Sequence, residues 1–89
     1  MQDEKKPKIL LVDDEAANLQ ALERTLRGEF EILSCTDPRQ ALDQVQKGDF
    51  AAIVSDQRMP AMVGTELLAQ VAKVRPLTTR LILTAFTET

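Results

Sequence analysis

Three apolar runs in this chain each end in side chains that carry oxygen. Ile9-Leu10-Leu11-Val12 ends in Asp13-Asp14, Ala51-Ala52-Ile53-Val54-Ser55 ends in Asp56, and Leu81-Ile82-Leu83 ends in Thr84. Continuous runs of this kind fit strands buried on both faces of a parallel sheet. Open parallel sheets hold their ligands beyond the carboxyl ends of the strands, where Asp13, Asp14 and Asp56 would converge. Three carboxylates in one place repel one another, which raises at least one pKa, and a hard divalent cation removes the conflict. Oxygen donors alone favour magnesium over zinc, and the chain contains no histidine. Magnesium is usually held by a few carboxylates together with phosphate oxygens, so the chemistry in view is phosphoryl transfer. Asp56 is the candidate nucleophile, able to form an aspartyl-phosphate. Thr84 offers a hydroxyl to a phosphoryl oxygen, and Ala85 beside it leaves room for the group. The plainer alternative is that the aspartate pair only caps a helix, for which Asp14 before Glu15-Ala16-Ala17 is suited.

The segments between these runs must set the three chain ends side by side. Residues 15–27 carry Leu19, Leu22 and Leu26 at helical spacing, and Gly28 stops the pattern. Residues 30–35 read as a short strand. Asp37-Pro38 opens a second helix with a capping carboxylate and a proline at the first helical position. Ala41, Leu42 and Val45 form its apolar face, and Gly48 lies just past its end. Residues 51–56 form the third strand and residues 60–64 a loop. A third helix follows with Leu67, Leu68, Val71 and Val74 inward, ended by Pro76. The fourth strand covers residues 79–84. Strictly alternating strands and helices predict an α/β fold, a parallel sheet with helices on both faces, because each crossover is right-handed.

At 89 residues the chain is one domain. Residues 1–7 are a charged lead-in, and residues 8–89 the domain. Aromatic residues make up only 3%, so the core is built from Leu, Val, Ile and Ala. A net charge of -3 argues against a dedicated nucleic-acid binder, which needs clustered cations. No apolar run approaches the roughly 20 residues of a membrane span, and the lead-in lacks the apolar stretch of a signal peptide. The single cysteine, Cys35, reads as a small core residue. Together these features predict a cytoplasmic protein without direct nucleic-acid or membrane partners.

Ile9-Leu10-Leu11-Val12-Asp13-Asp14-Glu15, Asp56-Gln57-Arg58-Met59-Pro60-Ala61-Met62-Val63-Gly64 and Leu83-Thr84-Ala85 occur in an order and at a spacing that resemble the receiver domain of bacterial two-component response regulators. The likeness runs from about residue 7 to 86. It implies a flavodoxin-like, CheY-like doubly wound sheet, here of four strands in the order 2-1-3-4 with three helices. It implies that Asp56 is the phospho-acceptor, receiving its phosphoryl group from a sensor histidine kinase or phosphotransfer protein. Asp13 and Asp14 match the acidic pair that holds Mg2+, with Asp56 and the backbone carbonyl of Arg58 as further ligands. Thr84 matches the switch hydroxyl, and Gly64 the glycine of the loop before the third helix.

A complete receiver continues with a helix, a fifth strand and a final helix. The fifth strand carries a lysine that pairs with the phosphoryl group. The sequence ends before that segment, and Lys47 and Lys73 fall on helices away from the site. It therefore reads as an incomplete receiver, a piece of a longer regulator with an effector domain or a short protein in its own right. An edge left at the fourth strand predicts self-association. Two other functions fit the residues: an interaction module that keeps the receiver shape without switching, and an aspartate-nucleophile phosphatase of the haloacid dehalogenase type. The latter places its two acids two residues apart on the first strand, positions held here by Asp13 and Glu15.

Overall fold

The computed structural model describes residues 6–83 of the chain. Strands and helices alternate as β1 (Lys8–Val12), α1 (Ala16–Leu26), β2 (Glu31–Cys35), α2 (Pro38–Lys47), β3 (Ala52–Asp56), α3 (Gly64–Val74) and β4 (Thr79–Leu83). All pairings are parallel, and the strand order β2-β1-β3-β4 is the predicted one. The chain steps from β1 out to β2 and then returns past β1 to β3. That reversal puts the carboxyl ends of β1 and β3 side by side, with the register Val12 to Ser55.

Local chemistry explains where the helices begin. At α2, Asp37 accepts the N–H of Arg39 at 2.9 Å, and Pro38 occupies the first helical turn, where its missing N–H is no loss. Gly48 ends the helix in extended backbone. The boundaries differ from the sequence pattern by about one residue. Phe30, for example, precedes β2 and packs partly buried beneath α1.

The two faces of the sheet carry two apolar clusters. Leu10, Val12 and Ile53 pack with Ala41 and Val45 of α2 and with Leu67 and Val71 of α3. Ile9 and Leu11 point the other way, onto Leu19 of α1, with Leu22, Leu26, Ile32 and Val54 around them. β1 is thus buried on both faces, as its run of apolar residues predicts. β3 is not: Ile53 and Ser55 are buried while Ala52 and Val54 are only partly so. β4 departs further, with all five residues exposed and Leu81 at 50%. The reason is one of width. A helix about 10 Å across covers roughly two strands spaced about 4.8 Å apart, and α1 lies over β1 and β2.

Val74, expected inward, is also exposed. It is the last residue of α3, where the helix reaches past the sheet and faces only the connecting segments. At that end, Thr78 Oγ1 donates to the Phe50 carbonyl at 3.0 Å, and Arg75 Nε donates to the Val45 carbonyl at 2.9 Å. Arg75 also pairs with Asp49 at 3.1 Å. These contacts fix how β3 and β4 enter the sheet. Cys35 is buried as predicted, and burial, reinforced by the Asp37 carboxylate, pushes its thiol pKa up and leaves it unreactive. No helix among the described residues is long and apolar enough to cross a membrane.

Ile53 is fully buried in the larger cluster. Ile53→Ala is expected to lower unfolding free energy in urea by about 3 kcal/mol. Leu77→Ala, at a side chain 96% exposed, is expected to change it by less than about 0.5 kcal/mol.

Candidate functional site

Asp13 and Asp14 follow the last residue of β1, and Asp56 is the last residue of the neighbouring β3. One carboxylate oxygen from each of the three lies within 4.8 Å of the others. Parallel pairing of two apolar runs that both end in aspartate is what gathers them. Asp13 is buried, Asp56 partly buried and Asp14 exposed, so the cluster grades from sheet to solvent.

Asp13 Oδ1 accepts the N–H of Glu15 at 2.9 Å, and Oδ2 accepts from Asn18 Nδ2 at 3.1 Å. Asp14 does not cap α1. Glu15 stands at the cap position and makes no side-chain cap bond, while an oxygen of Asp14 belongs to the acidic cluster. Glu15, the partner an Asp-x-Asp phosphatase would need, lies on the helix start with Oε1 3.4 Å from Asn18 Nδ2.

Asp56 emerges where its charge is least welcome. Burial raises its pKa above the ordinary carboxylate value, the charges of Asp13 and then Asp14 raise it further, and the backbone amides of Gln57 and Arg58 oppose the shift. The loop after Asp56 is anchored by Met59, buried in the larger core cluster, with Met62 packed against it. Arg58 lies exposed in that loop.

Gln57 holds the loop's other end. Its carbonyl accepts the N–H of Gly64 at 3.0 Å, and its side-chain Oε1 accepts the N–H of Thr65 at 2.9 Å. Val63 at the cap position of α3 offers no such bond, so Gln57 caps the helix from a distance of eight residues. Gly64 is not a loop glycine with special backbone angles; it is the first residue of α3, at negative φ. A Cβ there would overlap the Asp56 carbonyl oxygen and come within 2.8 Å of Ile82 Cδ1. Glycine is needed for close approach, which seats α3 directly on the Asp56 peptide.

β4 ends at Leu83, the register partner of Asp56. Thr84 and Ala85 lie outside the described residues. A cavity of about 430 Å³ opens beside Asp14 between Thr36, Asp37, Pro38, Pro60 and Ala61, giving an approach to the carboxylates. A second cavity of about 400 Å³, lined by Asp49, Phe50, Val74 and Leu77 among others, lies at the opposite end of the strands, away from Asp13, Asp14 and Asp56.

The response regulator receiver domain matches this chain over residues 9–89. The chain belongs to that family. Its receiver sequence is 33% identical over 85 residues to the hydrogenase transcriptional regulatory protein HoxA of Cupriavidus necator, covering 96% of this chain and 18% of HoxA. The chain thus spans less than a fifth of that relative. The fold matches the chemotaxis protein CheY4 of Vibrio cholerae with a TM-score of 0.86 at 35% identity, covering 93% of this chain and 72% of that one. It matches the response regulator TrrA of Thermotoga maritima with a TM-score of 0.85 at 28% identity, covering 91% and 71%. Receivers are phosphorylatable regulatory domains, and accepting a phosphoryl group is the family's function. They work with histidine kinases and effector domains.

Two residues of this receiver's site, Asn18 and Gln57, lay outside the reasoning from strand ends. An asparagine among the alanines of a helix's first turn was the available sign of the first, since asparagine is a poor helix former. Gln57 gave no sign, because its partner is fixed only when the loop closes.

Two measurements check this geometry. With a chelator present, Asp56→Asn is expected to raise the melting temperature at neutral pH. A carboxyl whose folded pKa is raised favours folding only while protonated and loses that contribution as pH rises through its folded pKa. The variant's advantage should therefore shrink as pH falls below that value. Gln57→Ala is expected to cost about 1 kcal/mol in urea unfolding, as loss of a helix cap does.

Proposed function

We propose that this receiver accepts a phosphoryl group on Asp56, with Asp13, Asp14, Asp56 and the carbonyl of Arg58 holding Mg2+ and Thr84 engaging the phosphoryl oxygens. What supports the reading is the three-carboxylate cluster at the β1–β3 crevice of a receiver fold. The donor set fits a hard cation. It consists of carboxylate oxygens, the chain has no histidine, and Cys35 is buried in the core. The TrrA structure is a complex with Mg2+ and BeF, which supports a Mg2+ site in this chain.

When bound, Mg2+ neutralises charge on the transferring group. The chain supplies the rest. An Asp56 carboxylate oxygen attacks phosphorus in line, its new bond forms as the donor's bond to phosphorus breaks, and the donor leaves with that electron pair. Asp13 and Asp14 provide the negative charge that draws the cation. Gln57 and Gly64 hold the acceptor's peptide still against α3. The donor in this reading is a phosphohistidine on a sensor kinase or phosphotransfer protein. The reader is an effector domain of a longer parent chain, as the transcriptional regulator HoxA is in kind.

Intact-mass measurement after incubation with Mg2+ and acetyl phosphate tests the proposal. A single phosphoryl adduct is expected on the wild type and none on Asp56→Asn. An adduct that persists in Asp56→Asn, or a folded wild type that takes up none, would overturn it.

A further inference from the structure

We infer that Asn18 is a positioning residue for the metal site, acting through Asp13; the inference rests on the function proposed above. Asp13 is the most buried of the three carboxylates, and its two oxygens are held by different donors. The Glu15 N–H holds Oδ1 at 2.9 Å, and the Asn18 side-chain amide holds Oδ2 at 3.1 Å. The first donor is backbone and comes with the turn into α1. The second is a choice of side chain.

That choice runs against helix formation. Asn18 is the third residue of α1, behind Ala16 and Ala17, and alanine there would favour the helix. Its own N–H already bonds the Glu15 carbonyl at 3.1 Å, so the side chain is not required to begin the helix. The side chain instead reaches back five residues to Asp13, with a longer contact of 3.4 Å to Glu15 Oε1.

The chemistry of the donor matters as much as its place. A carboxylate turns easily about its Cβ–Cγ bond, because that terminal torsion is broad and roughly two-fold. Two donors, one on each oxygen, oppose that rotation. Each oxygen keeps a further lone pair for a cation. A lysine or arginine at this position would hold the carboxylate too, but would also cancel the charge that attracts the metal. A neutral amide orients without neutralising, which is the role that outer partners of metal ligands play.

Titrating Mg2+ by isothermal calorimetry into wild type and Asn18→Ala tests the assignment. Mg2+ binding is expected to weaken about tenfold in the variant, at the low end of the range for such partners. The Mg2+ concentration giving half-maximal phosphorylation by acetyl phosphate should rise by the same factor, with the maximal rate within about twofold of wild type. A residue serving only the helix would alter melting temperature in chelator and leave Mg2+ affinity where it was; unchanged affinity overturns the assignment whatever the melting temperature. If the alanine chain fails to fold, Asn18→Ser is read in the same titration, and wild-type affinity there overturns it. A folded wild type that binds no Mg2+ overturns the proposed function and this assignment together, whereas normal wild-type binding with an unaltered variant removes only the assignment.

Discussion

Three carboxylates crowd the crevice where β1 and β3 end, and much of the surrounding structure answers their mutual repulsion. Asp13 is buried with both oxygens occupied by donors. Asp56 is held with a raised pKa, the mark of a group that burial and its neighbours push toward the neutral form. Asp14 faces solvent, where its charge costs least. An arrangement that is unfavourable alone fits the divalent cation proposed for it, and its cost is offset by the packing beneath it.

That packing is rigid where the site needs it and sparse elsewhere. β1 is covered on both faces, and Leu10, Leu11 and Ile53 are fully buried, so the strand ends that carry the aspartates have little freedom. The loop after Asp56 is pinned by Met59 in the core and by Gln57 at the start of α3. Gly64 brings the start of α3 against the Asp56 peptide and close to Ile82 of β4. β4 itself is exposed along its length. The sheet is firm at the β1–β3 crevice that gathers the three aspartates and exposed at β4, its edge among the described residues.

Much of this was legible in the sequence because it depends on local pattern. Apolar runs ending in aspartate, helical stripes punctuated by Gly28, Pro38 and Pro76, and strict alternation predict a parallel α/β sheet that brings Asp13, Asp14 and Asp56 together, while the strand order was implied by the resemblance to receivers. The readings that changed share one cause: each depended on what lies opposite a residue in space. Leu81 looks like a core residue by type, yet α1, lying over β1 and β2, does not reach it. Gly64 looks like a turn glycine, yet the constraint is the Asp56 carbonyl across a gap of eight positions. Asp14 looks like a helix cap until Glu15 is seen to hold that place.

Element order and an acidic triad of oxygen donors follow from residue type and period alone. Which groups hold that triad depends on how the chain folds back on itself. Asn18 reaches Asp13 because the turn into α1 folds the helix back over the strand end, and Gln57 reaches Thr65 because the Met59 anchor closes the loop. Side-chain reach over five or eight residues is set by how the backbone turns, and a linear sequence does not record that turn.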